Sequence, residues 1–219
     1  MKTIEDLLNG YRRFRRGRYG EQVDLYARLA RGQDPDIMLI GCADSRADPS
    51  DIFDTAPGEL FTVRNVANLV PPCQEDGSLH GVSAALEFAI KSLKVKHVVV
   101  MGHGQCGGVR ASLLAAEDRP VGSFIAPWVS LLDETRDEVL AKSPSDPQLA
   151  LEFASVHFSL KNLMTFPFVR DAVESGHLNC TAPGSRSPAE NSPGSTPRKT
   201  CSNWSSTDLQ GVQPRLMPW

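Results

Sequence analysis

DIMLIGCADSR at 36–46 and KHVVVMGHGQCG at 96–107 share one pattern: an apolar run, then a glycine, then residues that carry chemistry. Each apolar run is short and rich in β-branched or aliphatic residues, which predicts a buried strand, IMLIG within 36–41 and KHVVVMG over 96–102. A further strand is expected at LFTVR, 60–64. Between and after these strands the pattern turns helical. EQVDLYARLAR (21–31) and LHGVSAALEFAIKSL (79–93) place apolar residues at helical spacing. A helix should follow Gly107, and two helical segments fill 124–142 and 147–175. Thr3 and Asp6 are spaced as a capping box at the start of an N-terminal helix. Strands that are apolar throughout and alternate with helices imply an α/β fold, a parallel β-sheet core flanked by α-helices on both faces.

The rest of the composition is ordinary. The chain has 219 residues, 41% of them hydrophobic and 22% charged, with a formal net charge of -3. No general affinity for polyanions follows from that charge. The cluster Arg12, Arg13, Arg15, Arg16 and Arg18 reads as the solvated face of a terminal helix, because a nucleic-acid surface would add interleaved aromatics. Five cysteines do not make a disulfide framework. No apolar run approaches the roughly 20 residues that cross a bilayer, and MKTIEDLL has no signal-peptide core. The expectation is a cytoplasmic protein with reduced thiols and with neither membrane nor nucleic acid as partner.

Cys42, Asp44 and Arg46 follow one predicted strand, and His103 and Cys106 follow another. Open parallel sheets bind ligands beyond the carboxyl ends of their strands, and neighbouring strands lie about 4.8 Å apart. Residues past two such ends can meet around one ion. Two cysteines and a histidine form a zinc donor set that leaves a fourth tetrahedral position open, the pattern of a catalytic site. Cys73 in a Pro-rich loop, Cys180 and Cys201 near the end of the chain, and the remaining histidines read as structural or exposed. Gly102 to Gly107 also fits the G-x-G-x-x-G dinucleotide fingerprint. That fingerprint expects an acidic strand end about 20 residues on. VGSFIAPW (121–128) offers none, so the glycines are read as allowing close backbone approach to a small anion.

These residues resemble the β-class carbonic anhydrases. CADSR matches the family's C-x-D-x-R, HGQCGG matches its H-x-x-C-G-G, and PGELFTVRNVANLVPP (57–72) looks like its central segment. The resemblance covers about 5–178. It implies one Zn2+ per protomer held by Cys42, His103 and Cys106, with water or hydroxide in the fourth position. It implies reversible hydration of carbon dioxide to bicarbonate and a proton, in a homodimer or larger homo-oligomer. Asp44 and Arg46 match the family's catalytic dyad, and in some members that Asp takes the fourth metal position in a closed, inactive state. Gln33, Phe61, Val66, Phe88 and Gly107 match substrate-site positions, although plant-like members usually carry Tyr where Phe88 stands. Ile40 stands where bicarbonate-regulated members carry Trp, which implies the plant-like, constitutively open type. Two alternatives stay open: hydrolysis of CS2 or COS by the same donor set, and a non-catalytic or impaired zinc-binding homologue. Two thiolate ligands donate more charge than imidazoles, so activity should rise on the alkaline side.

The end of the chain departs from the family. Residues 179–219 hold six of the 16 prolines and seven serines, too little apolar surface to offset ordering entropy. An ordered zinc domain at 1–178 and a disordered Pro/Ser-rich tail at 179–219 are expected, with the closing C-terminal strand missing. Codons can be chosen for 178–203 that encode, in the neighbouring frame, a strand-like peptide followed by a stop. A frameshift would therefore account for the tail, and the coding DNA decides it.

Overall fold

A computed structural model of the protein describes residues 2–76 and 79–182. Its sheet has four strands, β1 (Ile37–Cys42), β2 (Leu60–Asn65), β3 (His97–Met101) and β4 (Asn179–Thr181), in the order β2-β1-β3-β4, all parallel. The chain steps from β1 to β2 on one side and then to β3 on the other. The crevice between β1 and β3 is therefore the switch point of the sheet. Pairing of Ile40 with Val100 and Gly41 with Met101 sets Cys42 beside the residues that follow β3.

Helices cover both faces, as the apolar strands require. On one side Met38, Ile40, Val98 and Val100 pack with Leu86, Leu160, Leu163, Val169 and Val173. These come from α5 (Gly81–Glu87), α9 (Pro147–Leu163) and α10 (Pro167–Glu174). On the other, Leu39 and Met101 pack with Ala47 and Ile52, the latter on α4 (Pro49–Phe53). A second buried group joins Cys42 and Cys106 to Ala67, Leu69, Val109, Leu132 and Leu151. It links the strand ends to α6 (Gly107–Ala116) and α9.

Before the sheet, α1 (Ile4–Arg16), α2 (Arg18–Glu21) and α3 (Val23–Arg31) run with no buried residue. The Thr3–Asp6 capping box is formed in both directions. Rings of Phe14, Tyr19 and Tyr26 tie these helices together, with centroids 4.9–5.9 Å apart. The basic cluster is solvent-facing, Arg12 bridging to Glu5 at 3.1 Å and Arg15 lying 4.9 Å over the Tyr19 ring.

Three readings need correction. The helical segment 147–175 is two helices, because Pro167 has no N–H to continue α9 and instead begins α10. Segment 124–142 also divides, into α7 (Ile125–Val129), a 3-10 turn and α8 (Asp133–Ala141). Leu178 does not end the ordered chain, because β4 adds three residues to the sheet and buries Cys180 against β3. The expectations of a disordered tail and a missing closing strand fall, beyond Ala182, outside the described residues, as does Cys201. Among the described residues no helix is long and apolar enough to cross a membrane.

Candidate metal centre

Cys42 is the last residue of β1, and His103 and Cys106 lie in the turn between β3 and α6. Their candidate ligand atoms all lie within 4.8 Å of one another. The two sulfurs are 3.9 Å apart. All three side chains are buried, Cys42 at 4%, His103 at 2% and Cys106 at 1% exposure. Such a cluster of soft and borderline donors suits a thiophilic divalent cation.

The histidine carries the clearest sign of a missing partner. Its Nδ1 lies 2.9 Å from the Gly104 carbonyl, which assigns the proton to Nδ1 and leaves Nε2 as a lone-pair donor. Among the described residues, buried Nε2 has no hydrogen-bond partner. A buried ring nitrogen without a partner costs free energy unless something accepts its lone pair. The two sulfurs are within hydrogen-bond reach of each other, and this contact favours ionisation of Cys42, lowering its pKa despite burial. The same contact, with burial, pushes Cys106 up. A metal ion would bind both sulfurs as thiolates and displace the thiol proton.

Asp44 sits at the mouth of the cluster, its Oδ2 4.0 Å from His103 Nε2. Arg46 grips it with two parallel bonds, Nε to Oδ1 and Nη2 to Oδ2, each 3.0 Å, while the Arg46 backbone N–H donates to Oδ1 at 2.9 Å. These bonds hold the Asp44 carboxyl well below the usual carboxylate range, the Arg46 side chain being the largest cause. Val66 packs on the Cys42–Cys106 group. Gly107 is exposed at the first position of α6, with nothing within 4 Å of where a Cβ would stand.

Gln33, Phe61 and Phe88 are placed elsewhere. Gln33 precedes β1 at its amino end, whereas Cys42 is at the carboxyl end. Phe61 is paired with Met38, four residues before Cys42, or about 13 Å down the strand. The Phe88 ring lies against Phe61 at 5.8 Å and is 48% exposed. Within one chain these three do not reach the cluster.

Other residues support the site and escaped the sequence reading. Arg64 donates to the carbonyls of Cys42 (2.9 Å) and Asp44 (2.6 Å) and bridges to Asp48 at 2.8 Å, so one side chain pins the first motif. Glu152 on α9 accepts the Cys106 N–H at 2.8 Å. Arg64 stood in the quoted central segment, but nothing in a sequence marks which backbone carbonyls an arginine will meet. Glu152 lies 46 residues from its partner, within a helical pattern where a glutamate reads as surface.

A family model described as carbonic anhydrase matches residues 37–182. The chain is 35% identical over 181 residues to the chloroplastic β-carbonic anhydrase 5 of Arabidopsis thaliana. The match covers 81% of this chain and 60% of that protein, so the chain spans about three fifths of that relative's length. Among solved structures, the β-carbonic anhydrase CcaA is similar with a TM-score of 0.76 and 30% identity, over 82% of this chain and 88% of that one. A tetrameric β-carbonic anhydrase of Sordaria macrospora is similar with a TM-score of 0.66 and 28% identity, over 81% and 89%.

Proposed function

The chain belongs to the carbonic anhydrase family, and from that membership we propose that it catalyses the reversible hydration of carbon dioxide to bicarbonate and a proton. The observation that carries the proposal is the buried Cys42–His103–Cys106 cluster, with an unpartnered imidazole nitrogen and an arginine-held carboxylate at its mouth. These three residues would hold one zinc ion per protomer. A zinc ion there supplies Lewis acidity, lowering the pKa of a water from 15.7 toward about 7.

The remaining chemistry belongs to the side chains. Asp44, kept ionised by Arg46, can only accept hydrogen bonds. A water beside it must donate to Oδ2, and its lone pair is then free to meet the carbon of the substrate. Arg46 fixes the carboxylate by its two-pronged grip, so Asp44 does not turn away between cycles. Val66 offers an apolar wall suited to an apolar substrate. The Gly107 N–H, at a helix start and without an intrahelical partner, is the donor we assign to the oxygen that gains charge.

Gln33, Phe61 and Phe88 complete the substrate site only if a second protomer brings them to it, so the working unit is a homodimer or larger homo-oligomer. An apolar stripe supports association: Ile4, Leu7, Leu8 and Tyr11 recur at helical spacing on α1 and are 73%, 58%, 45% and 58% exposed. A reducing compartment, expected to be the cytoplasm, keeps the paired thiols available as ligands. Elemental analysis and oxygen-18 exchange between carbon dioxide and water test the proposal. One zinc per protomer with rapid exchange is expected; zinc-replete protein without exchange would leave a metal-binding protein that lacks this activity.

A further inference from the structure

We propose that Glu152 is a positioning residue that aims the ligand Cys106 by holding, from the protein interior, the peptide group between Gln105 and Cys106. The inference rests on the metal-site reading above and deepens it.

The turn from His103 to Cys106 needs holding. Gln105 has φ +53°, a left-handed conformation that a residue with a Cβ rarely adopts. Cys106 then takes extended backbone (φ -68°, ψ 120°) as the cap residue of α6, with no side-chain cap of its own. The orientation of its sulfur follows from the plane of the peptide just before it. That plane is gripped at both ends. Its carbonyl, on Gln105, accepts from Arg46 Nη2 at 3.1 Å. Its N–H, on Cys106, donates to Glu152 Oε1 at 2.8 Å. Gln148, one turn earlier on α9, donates to the same Oε1 at 2.6 Å and to the Cys106 carbonyl at 3.1 Å. Both backbone polar groups of Cys106 are thus tied to α9.

The two grips are unequal. Arg46 is 40% exposed and Gln105 is exposed, so water can replace the outer bond. Glu152 is 2% exposed, and among the described residues its Oε2 is buried with no hydrogen-bond partner. Water cannot enter to replace the inner bond without opening the core. A glutamate kept there, at the cost of an unsatisfied buried oxygen, needs a reason beyond packing. Holding Cys106 is the reason the geometry offers.

The test separates reach from charge in the full-length protein loaded with cobalt(II). Glu152→Gln keeps a carbonyl oxygen at the same reach; Glu152→Asp keeps the charge but falls one methylene short. Chelator competition gives cobalt affinity, and the thiolate-to-cobalt absorption bands report ligand geometry. Glu152→Asp is expected to lose about 10–100-fold in affinity with weakened bands, while Glu152→Gln stays near the parent. Gln148→Ala, which frees the Glu152 carboxylate, should show a smaller loss in the same direction and serves if Glu152→Asp does not fold. Parental affinity and bands in Glu152→Asp, or in Gln148→Ala where that variant stands in, would overturn the proposal. So would a loss in Glu152→Gln as large as that in Glu152→Asp, because an oxygen at the same reach would then not be enough to hold the site. A lower melting temperature of metal-free protein with unchanged bands would show a purely structural role, and also overturn it. Failure of the parent protein to bind cobalt would instead remove the metal-site reading itself.

Discussion

Arg46 and Asp44 show how much one residue pair can decide. Arg46 lies outside the ligand cluster and is partly solvated, so its removal should leave the metal in place while freeing the carboxylate it orients. Arg46→Ala is expected to lower turnover by about 10–100-fold with zinc content unchanged, read by elemental analysis alongside kinetics; parallel loss of both would contradict this division of roles. The folded-state pKa of Asp44 is lowered, so its contribution to stability is complete above the ordinary carboxylate value and disappears only as pH falls through the depressed one. In Arg46→Ala the carboxyl should titrate closer to about 3.9, measurable as the carbon-13 shift of Asp44. At this scale the sequence was informative where chemistry is local. Cys42, Asp44 and Arg46 fall within five residues and His103 and Cys106 within four, so two short motifs display them. Glu152, Gln148 and Arg64 act on backbone atoms far away in the chain, and their residue types are common on surfaces.

At the scale of elements, the site is built where β1, β3 and α6 converge, and the approach between α6 and the segment after β2 is very close. A Cβ added at Gly108 would stand 2.5 Å from Val66 Cγ1, 2.9 Å from Ala67 Cβ and 3.1 Å from the Ala67 nitrogen. Ala67 has φ +64° and cannot easily move. Trp128 Nε1 further fixes this segment by donating to the Val66 carbonyl at 2.8 Å. Gly108→Ala should therefore destabilise by about 1–3 kcal/mol and displace Val66, seen as a lower denaturation midpoint with reduced activity; an unchanged midpoint would show the contact to be soft. Strands β1 to β3 and the longer helices were legible because their apolar patterns are strong, whereas three-residue β4 carries no such pattern. The division at Pro167 was not, since apolar spacing runs through 147–175 while the proline removes a single donor. Neither was the π-type turn at Phe88–Leu93, which extends α5 with a wider hydrogen-bond spacing that no side-chain pattern announces.

At the scale of the whole molecule, a single chain brings together the three proposed metal ligands and the Asp44 carboxylate but leaves Gln33, Phe61 and Phe88 toward the amino end of β1. It also leaves an apolar stripe on α1 in contact with solvent. Leu7→Asp combined with Leu8→Asp should shift the protein toward monomer in sedimentation velocity and reduce turnover per zinc. Parental sedimentation would place the interface elsewhere. The domain arrangement is a proposal of the same kind: a metal-binding unit that includes β4, with every proposed ligand preceding α6. The most direct test of the account is stopped-flow hydration of carbon dioxide by the zinc-loaded protein near pH 8.5, with Cys42→Ser measured alongside. The account predicts fast turnover that rises with pH and disappears, together with bound zinc, in Cys42→Ser. Folded, zinc-replete protein without turnover, or turnover that survives in Cys42→Ser, would contradict it.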